Sequence, residues 1–410
     1  MRIFLGLANI ASMYTDLKQS FEARGVETFI VNKNFTEKII TDYSDFNIEK
    51  AKKRVTRFKP YWLGVRAKSF WDRKVDQYIF EKALKKCDVF IFFWDTFKMD
   101  FSDLEKIKKE GKILINVFVG DDVRWYYSME QEFKKYKLLP IEYGEDYNYT
   151  VQALDRKLKY IRTVEKYSDH IFSRLDQAQL ELRPYYRWNM MVPAANFKEN
   201  TSQRKTKPVV AHAPSHRAIK GTAYVLEAFQ KLKDEGIEFD PLLIENVSNK
   251  EAIEMYANAD ILIDQLLCPG TGKLATEALA CGTIVMGHMA YDTYPQKNPQ
   301  KCPIIDVNPN TLYTKLKELI LDYDFRKVHA AKGKPYVEKY LDVNYFCDKV
   351  LGLVNGEQIP YDYEPDFFRE YFIPESEESL PVYNKWTKFV SDNSWYKDRV
   401  KAGERNGLIF

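Results

Sequence analysis

Short apolar runs alternate with segments of helical periodicity along most of this 410-residue chain. The first cycle is a strand pattern at residues 2–8, an amphipathic helix at 15–24 and a second strand at 27–31. Parallel strands need a crossover connection, which is usually a helix, so this alternation predicts parallel sheets covered by helices. It resumes after residue 208, and we expect an α/β protein.

The length and the pattern of polarity predict two domains. A chain of 410 residues with 45% hydrophobic residues can bury two sizeable cores. The polar segment at 198–207, KENTSQRKTK, interrupts the periodicity and is interpreted as the linker between them. We expect an N-terminal domain at 1–200, a C-terminal domain at 201–354 and an acidic, aromatic tail at 355–410.

Charge, cysteine content and hydropathy argue against several classes of protein. A net charge of +3 gives no general reason to expect a nucleic-acid partner. Five cysteines without a C-x-x-C pair indicate free thiols in a reducing compartment, and argue against zinc and disulfide frameworks. No apolar run is long enough to cross a bilayer, and residues 1–10 are interpreted as a first strand instead of a signal peptide. We expect a cytoplasmic protein.

Residues 50–74 combine basic and aromatic side chains. Ten lysines and arginines accompany a single acid, Asp72, and five aromatic residues are interleaved among them. This mixture is typical of segments that bind the surface of an anionic membrane. Contact with RNA through phosphates and stacked bases is a second interpretation. The third is a solvated helix face whose aromatic side chains pack inward.

The segment at 264–285, DQLLCPGTGKLATEALACGTIV, predicts a strand end, a glycine turn, a short helix and another strand. The free N–H groups at the start of such a helix attract phosphates, so Gly270, Thr271, Gly272 and Lys273 are candidate ligands of a diphosphate. Glu277, more than one turn further on, can accept hydrogen bonds from ribose hydroxyls. The segment is not a P-loop, because leucines stand at positions 267 and 274.

A second segment, at 209–222, predicts a strand, a loop and a helix start. Ser215, Arg217 and Lys220 lie in this loop and at the beginning of the helix. Arg217 and Lys220 are candidates for stabilising the negative charge that grows on a departing diphosphate. Ser215 is a candidate for binding it.

Together the two segments resemble the nucleotide-sugar-binding half of GT-B glycosyltransferases, in particular the mostly retaining superfamily with an E-x7-E motif. A Lys-Gly pair opens the first helix of that half in the family, as Lys220-Gly221 does here. The later motif, E-x-x-G-x-x-x-x-E-A-x-A-x-G, is matched in register by Gly272, Glu277, Ala278, Ala280 and Gly282. The first glutamate falls on Pro269. Since that glutamate contacts the donor sugar in the family and the second contacts the ribose, the resemblance implies nucleotide binding more directly than a sugar contact.

The resemblance implies a GT-B architecture, with two Rossmann-like domains whose parallel sheets face a central cleft. It extends at the level of motifs over 209–285, at the level of pattern to 354, and before residue 200 in topology alone. It also implies that the C-terminal tail packs back on the N-terminal domain, and that a nucleotide-sugar is the donor substrate with no separate cofactor. We expect no metal, because His212, His216 and His288 lack the spacing of a ligand set.

The loop at 120–124, GDDVR, resembles the Gly-(Ser/Asp)-Asp-(Ile/Val)-Arg loop of the acceptor domain in such transferases. If transfer inverts the anomeric centre, a general base is required, and Asp121, Asp122 and Asp95 are candidates. If transfer retains it, the leaving phosphate accepts the proton and these acids need only cap helices. The missing first glutamate leaves both outcomes open.

The sequence therefore predicts a glycosyltransferase that moves a sugar from a nucleotide-sugar to a glycan or a lipid-linked acceptor, in cell-surface polysaccharide synthesis. Peripheral contact of residues 50–74 with the inner face of the membrane is part of this hypothesis. Another GT-B chemistry, such as nucleotide-sugar epimerisation or polyol-phosphate transfer, is one alternative. A non-catalytic scaffold that binds nucleotides or sugars is the other, and Pro269 is its best support.

Overall fold

The computed structural model describes residues 1–33, 44–57, 64–124, 135–136, 151–178, 180–291 and 302–363. These residues form two compact units. The first contains the described residues up to 124, those from 151 to 188, and 347–363. The second contains 135–136, 189–291 and 302–346. Part of the basic, aromatic segment, residues 58–63, and most of the predicted tail, residues 364–410, lie outside the described residues.

The first unit is built on a parallel sheet with the order β3-β2-β1-β4-β5-β6-β7. Its strands are β1 (Arg2–Leu7), β2 (Glu27–Asn32), β3 (Phe46–Asn47), β4 (Val89–Phe93), β5 (Ile113–Val117), β6 (His170–Ser173) and β7 (Tyr186–Arg187). The central strand β4, VFIFF, is buried along its whole length, as a strand covered by helices on both faces must be. Phe90 and Phe92 pack with Phe4 and Phe97 in one aromatic cluster, whereas Phe93 packs against Tyr14 and Trp188.

Helices connect these strands and cover the sheet. They are α1 (Met13–Glu22), α2 (Ile48–Arg57), α3 (Gly64–Lys86), α4 (Ser102–Lys109) and α5 (Val151–Tyr167). Neighbouring strands of this sheet pair in parallel, for example β1 with β4 (Ile3 against Val89) and β6 with β7 (Phe172 against Tyr186). Parallel strands need crossover connections, which are usually helices, as the sequence alternation predicted.

The second unit has a parallel sheet with the order β12-β11-β10-β8-β9. Its strands are β8 (Val209–His212), β9 (Asp240–Leu243), β10 (Ile261–Ile263), β11 (Ile284–Gly287) and β12 (Ile305–Asp306). Its helices are α6 (Arg217–Lys220), α7 (Thr222–Asp234), α8 (Asn249–Ala257), α9 (Lys273–Ala280), α10 (Leu312–Leu321), α11 (Tyr323–Ala330) and α12 (Gly333–Tyr340), and α13 (Val343–Val354) continues the chain into the first unit.

The strand order fixes where each sheet opens towards a ligand. In the second sheet the connections run outward in one direction from β8 to β9 and in the other from β10 to β12. Loops that leave β8 and β10 therefore diverge, and ligands of open α/β sheets bind at the carboxyl ends of strands at such a switch point. In the first sheet the corresponding point lies between β1 and β4.

Two elements differ from what the sequence pattern predicts. The periodicity of residues 325–340 predicts one helix, but the chain forms two helices with a turn at residues 331–332. Gly333 opens the second helix, and a Cβ on it would lie 2.6 Å from the carbonyl oxygen of Leu279 in α9. The helix can therefore approach α9 closely only because residue 333 is glycine. The pattern at 187–192 predicts one strand, whereas the structure has a two-residue strand, Tyr186–Arg187, and an isolated bridge at Val192.

The polar segment at 198–207 is fixed to the second unit. The amide of Asn200 donates to the carbonyl of Cys281, and Arg204 pairs with the buried carboxylate of Asp260 at 2.8 Å. The described start of the predicted tail lies in the first unit, where Tyr185 bridges Tyr363 and Lys349 pairs with Asp362. Polar composition alone did not distinguish a loop that is held by hydrogen bonds from a linker.

Among the described residues, no helix is both long enough and apolar enough to cross a membrane.

Candidate functional site

The switch point of the second sheet brings the two segments singled out from the sequence into contact. Lys220 ends the short helix after β8, and Asp264 directly follows β10. The ammonium Nζ of Lys220 donates to Oδ1 of Asp264 at 2.5 Å and to Oε1 of Gln265 at 3.2 Å. Both charged side chains are buried. Lys220 therefore lies beside the loop that leads from β10 into the glycine turn.

The Lys-Gly pair has a local physical reason. Gly221 has a φ of +72° and ends α6, a left-handed conformation that residues with a Cβ rarely adopt. A Cβ on Gly221 would also lie 3.0 Å from Cβ of Leu266. Glycine therefore allows the chain to turn sharply into α7, and this turn places Lys220 beside the loop that follows β10.

The glycine turn before α9 is held by backbone hydrogen bonds. Gly270, with a φ of +94°, donates its amide to the carbonyl of His288 at 2.9 Å, and the amide of His288 donates to Gln265. The side-chain amide of Gln265 donates to the carbonyl of Gly270 at 2.9 Å. Gln265 therefore links the turn to Lys220, because its side-chain nitrogen donates to Gly270 and its side-chain oxygen accepts from Lys220.

The start of α9 has the features of an anion site. Gly272 is the N-cap residue and offers no side chain to the free N–H groups of the first turn. A Cβ on Gly272 would lie 3.4 Å from Oδ2 of Asp264 and 3.7 Å from Nζ of Lys220. A ligand oxygen can therefore meet the helix N–H groups and the Lys220 ammonium at one place. Thr271 is buried and Lys273 is half-buried at the same turn.

Glu277 lies inside α9 and is buried. Its Oε2 accepts a hydrogen bond from the hydroxyl of Tyr256, which is itself fully buried on α8. Burial, and then the nearby Glu277 carboxylate, raise the pKa of Tyr256 well above its usual range. The phenol consequently stays protonated and orients the carboxylate.

Arg217 and Ser215 lie differently from Lys220. Arg217 is exposed and forms a two-bonded ion pair with Glu245, at 2.8 and 2.5 Å. Glu245 follows β9, which lies on the side of β8 away from β10. The Glu245 carboxylate raises the pKa of Arg217. Ser215 is exposed in the loop after β8. The structure therefore brings Lys220 to the glycine turn, whereas it directs the charge of Arg217 towards β9.

The buried histidine on β8 is a packing residue. His212 contacts the carbonyl of Ile263 through Nδ1 and the hydroxyl of Thr222 through Nε2, both at 2.9 Å. A carbonyl can only accept, so Nδ1 carries the proton. Burial lowers the pKa of His212. Among the described residues, no group of three or more His, Cys, Asp or Glu side chains is placed to share a metal ion.

In the first unit, Asp121 and Asp122 follow β5. The Asp122 carboxylate accepts hydrogen bonds from the amides of Gly120 at 2.7 Å and Val119 at 3.2 Å, and so stabilises the loop in which it lies. Asp121 pairs with Arg124 at 2.7 Å. Burial raises the pKa of the Asp122 carboxyl to about 7, and burial lowers the pKa of the Lys157 ammonium to about 8.

Asp95 and its neighbour Trp94 follow β4 at the switch point of the first sheet. Asp95 pairs with Lys33, which follows β2. Trp94 has a φ of +67°, which is unusual for a bulky residue, and its indole is partly exposed. Its ring lies over Gly120, where a Cβ would be 3.6 Å away. The sequence analysis identified Asp95 but not this aromatic surface.

The raised pKa of Asp122 predicts how stability depends on pH. The usual carboxyl pKa is 3.8, so between about pH 4 and pH 7 the folded state keeps a proton that the unfolded state loses. The free energy of unfolding therefore falls as pH rises through this window, by at most about 4 kcal/mol from this group.

In Asp122→Asn, which keeps an oxygen for the amides, we expect urea unfolding to show equal stability near pH 4 and higher stability than the wild type at pH 8. If the free energies of unfolding of the two proteins depend on pH in the same way, Asp122 does not have the raised pKa assigned to it.

Asp264, Gln265 and Tyr256 are site residues that the sequence analysis did not assign. Asp264 and Gln265 directly follow an apolar strand, and this position at a carboxyl strand end is the signal that could have identified them. Tyr256 offers no such signal, because it is one aromatic residue on an amphipathic helix. Its contact with Glu277 joins two helices and is visible only in the fold.

No family model matches the sequence, and no curated protein matches it. Solved structures do match the fold. Sucrose-phosphate synthase from Thermosynechococcus elongatus has a TM-score of 0.55 at 11% identity, covering 87% of this chain and 98% of that chain. TarM of S. aureus, solved with fondaparinux, alpha-GlcNAc-glycerol and UDP, has a TM-score of 0.57 at 8% identity, covering 87% and 100%. An alpha-glucosyltransferase solved with UDP and a 13-mer DNA has a TM-score of 0.51 at 14% identity, covering 86% and 99%.

The chain has the GT-B fold. The two parallel sheets of the structure match those of GT-B glycosyltransferases, which confirms the predicted fold class. Because the identities are between 8% and 14%, this likeness concerns the fold, and the activity must be argued from the site.

Proposed function

We propose that this GT-B protein is a glycosyltransferase that takes a sugar from a nucleotide-sugar donor. The observation that carries the proposal is the meeting of Lys220 with the open N-terminus of α9 at the switch point of the second sheet. Two similar structures, TarM and the alpha-glucosyltransferase, were solved with UDP, which favours a uridine nucleotide. The motif resemblance around Gly272 and Glu277 supports the same site.

The proposed role of Lys220 follows from its hydrogen bonds. An ammonium group has three N–H donors, and Asp264 and Gln265 accept from two of them. The third is left for a phosphate oxygen at the start of α9. As the bond between sugar and diphosphate breaks, negative charge grows on that oxygen, and a donor held in place beforehand stabilises it. Asp264 and Gln265 then position the ammonium.

Glu277 and Arg217 have supporting roles in this proposal. Glu277 binds the ribose hydroxyls through the carboxylate that Tyr256 orients. Arg217 supplies a second cation when a bound diphosphate competes with Glu245 for its guanidinium. Ser215 and the Gly270–Gly272 turn contribute further hydrogen bonds to the diphosphate. Lys273 adds charge at the helix start.

The acceptor is proposed to bind at the carboxyl edge of the first sheet. Trp94 offers a partly exposed aromatic face there, and Asp95, Asp121 and Asp122 supply carboxylates. These are groups that contact sugars, and we propose a glycan or a lipid-linked acceptor. With its pKa raised to about 7, Asp122 suits a general base in an inverting reaction. A retaining reaction needs no such base.

A nucleotide-binding scaffold without transferase activity is the second candidate. Two observations favour it: Pro269 stands where the motif has its first glutamate, and both candidate cations are paired with carboxylates. Such a protein would bind a nucleoside diphosphate without breaking the bond to the sugar.

The experiment is a thermal-shift panel of UDP, GDP, ADP, CMP and their sugar conjugates, followed by an assay of nucleotide release. Ligand binding to the native state raises the melting temperature by mass action. The proposal predicts stabilisation by one diphosphate and slow hydrolysis of its sugar conjugate. Stabilisation without hydrolysis or transfer would favour the scaffold, and no stabilisation by any compound would overturn both.

A further inference from the structure

The helices α2 (Ile48–Arg57) and α3 (Gly64–Lys86) concentrate positive charge. Together they contain twelve lysines and arginines against four aspartates and glutamates, a net charge of +8. The whole chain carries only +3, so the remainder has a net charge of −5. The two helices pack against each other, and Lys52 on α2 pairs with Asp76 on α3 at 2.9 Å. The positive charge is therefore concentrated on two helices that pack against each other.

Aromatic side chains are exposed on α3. Phe70, Trp71 and Tyr78 of α3 are 48%, 40% and 62% exposed. At about 100° per residue, these three and Lys74 fall within a sector of about 100° around the helix. We call this sector, with the exposed cation Arg73 next to it on α3, the aromatic–basic face. The interpretation that the aromatic residues of segment 50–74 pack inward is wrong for Phe70 and Trp71.

The opposite side of α3 explains why this face must stay outward. Ile79, Phe80, Ala83 and Leu84 are buried in the core of the first unit. The helix cannot rotate to cover its exposed rings without removing these residues from the core. The aromatic residues are therefore presented to solvent by the fold itself.

The arrangement of the rings favours a membrane over RNA. The ammonium of Lys74 lies 5.5 Å from the centre of the Phe70 ring, and that of Lys82 lies 5.8 Å from the centre of the Tyr78 ring. Phe70 and Trp71 meet edge to face. Base stacking needs open ring faces, whereas rings at a bilayer interface insert among lipids while lysine stems extend to the headgroups.

We propose that the aromatic–basic face docks this protein on the surface of an anionic lipid bilayer. Phe70, Trp71 and Tyr78 enter the headgroup region, and the cations Arg73 and Lys74 contact lipid phosphates. The complementary charge of the lipid is the argument for this occupant, because the rest of the chain is net negative. Docking does not depend on the proposed sugar transfer.

The test is co-sedimentation with vesicles of phosphatidylcholine containing 30% phosphatidylglycerol, compared with vesicles of phosphatidylcholine alone. We expect at least tenfold stronger binding to the anionic vesicles, with a loss on raising the salt concentration. Phe70→Ser/Trp71→Ser/Tyr78→Ser should weaken binding at least tenfold. Arg73→Gln/Lys74→Gln should weaken it about fivefold for each cation removed.

The matched control is Leu321→Ser/Val328→Ser, which removes two exposed apolar side chains from the second unit and should leave vesicle binding unchanged. A poly(U) RNA is titrated in parallel. Equal binding to both vesicle types, no binding to either, or tighter binding to the RNA that depends on the three aromatic residues would each overturn the proposal. Nucleotide-induced thermal shifts of the same variants should equal those of the wild type, so that failure of docking is distinguished from failure of the proposed transfer.

Discussion

Replacing Lys220 with methionine is expected to lower the rate of sugar transfer by about 10²- to 10³-fold. The ammonium is placed to stabilise charge that grows on the leaving diphosphate, and loss of one such donor has an effect of this size in other enzymes. Methionine keeps the length and apolar stem of the side chain. The rate should be measured at saturating donor, so that the effect on the chemical step is separated from weaker binding.

The same substitution is expected to reduce stability, and this effect must be separated from the catalytic one. Asp264 is buried, and without Lys220 its carboxylate would lose its charged partner. Breaking a buried pair in this way costs about 3–5 kcal/mol. In Lys220→Met/Asp264→Asn, no unpaired charge is left, and we expect urea unfolding to show recovery of most of the lost stability.

The double variant decides between the two roles of Lys220. Recovered stability with transfer still about 10²-fold or more below the wild type would show that the ammonium acts on the substrate. Recovery of both stability and rate would contradict the proposal, because Lys220 would then be needed only to neutralise Asp264.

Replacing Glu277 with glutamine is expected to weaken binding of the nucleotide about 10- to 100-fold, or about 1.4–2.7 kcal/mol. Hydroxyl groups of a ribose donate more strongly to a carboxylate than to an amide. Glutamine has the same shape and still offers an oxygen to Tyr256, so the fold should be retained. The dissociation constant measured by calorimetry checks this prediction.

Tyr256→Phe is the matched control for Glu277→Gln. It removes the hydroxyl that donates a hydrogen bond to Glu277, and should cost about 1–3 kcal/mol of stability because a buried carboxylate loses a donor. Its effect on nucleotide binding should be smaller than that of Glu277→Gln. If Glu277→Gln binds the nucleotide as tightly as the wild type, then Glu277 has only the structural role of holding Tyr256.

Elements with strong local signals were predicted well. The sequence pattern predicts helices at 151–167 and 222–234 and a strand at 170–173, and the structure has the same bounds: Val151–Tyr167, Thr222–Asp234 and His170–Ser173. Their apolar residues recur with the helical or strand period, and polar or turn residues flank them. The α/β class followed from the alternation of such elements, and the GT-B fold was implied by the motif resemblance.

Interactions between distant segments were not predictable in the same way. The link from Lys220 through Gln265 to Gly270 depends on the parallel pairing of β8 with β10, in which His212 lies beside Ile263. Glycine at 270 and 272 gave a local signal for the turn, whereas nothing local indicates that Asp264 neutralises Lys220. The break before Gly333 depends on close packing against Leu279, which the periodicity of residues 325–340 does not reveal.

The most direct test of the central claim is calorimetric titration of UDP into the wild type and into Gly272→Ala. The φ of Gly272 is −86°, and a Cβ there makes only ordinary contacts, so the variant should fold with a melting temperature close to that of the wild type. The added methyl group would lie beside Lys220 at the start of α9, where the diphosphate is proposed to bind.

The control is Gly120→Ala in the first unit, whose added Cβ would also make an ordinary contact. We predict at least tenfold weaker binding to Gly272→Ala alone; equal affinity of the three proteins for UDP, or no binding to any of them, would contradict the account.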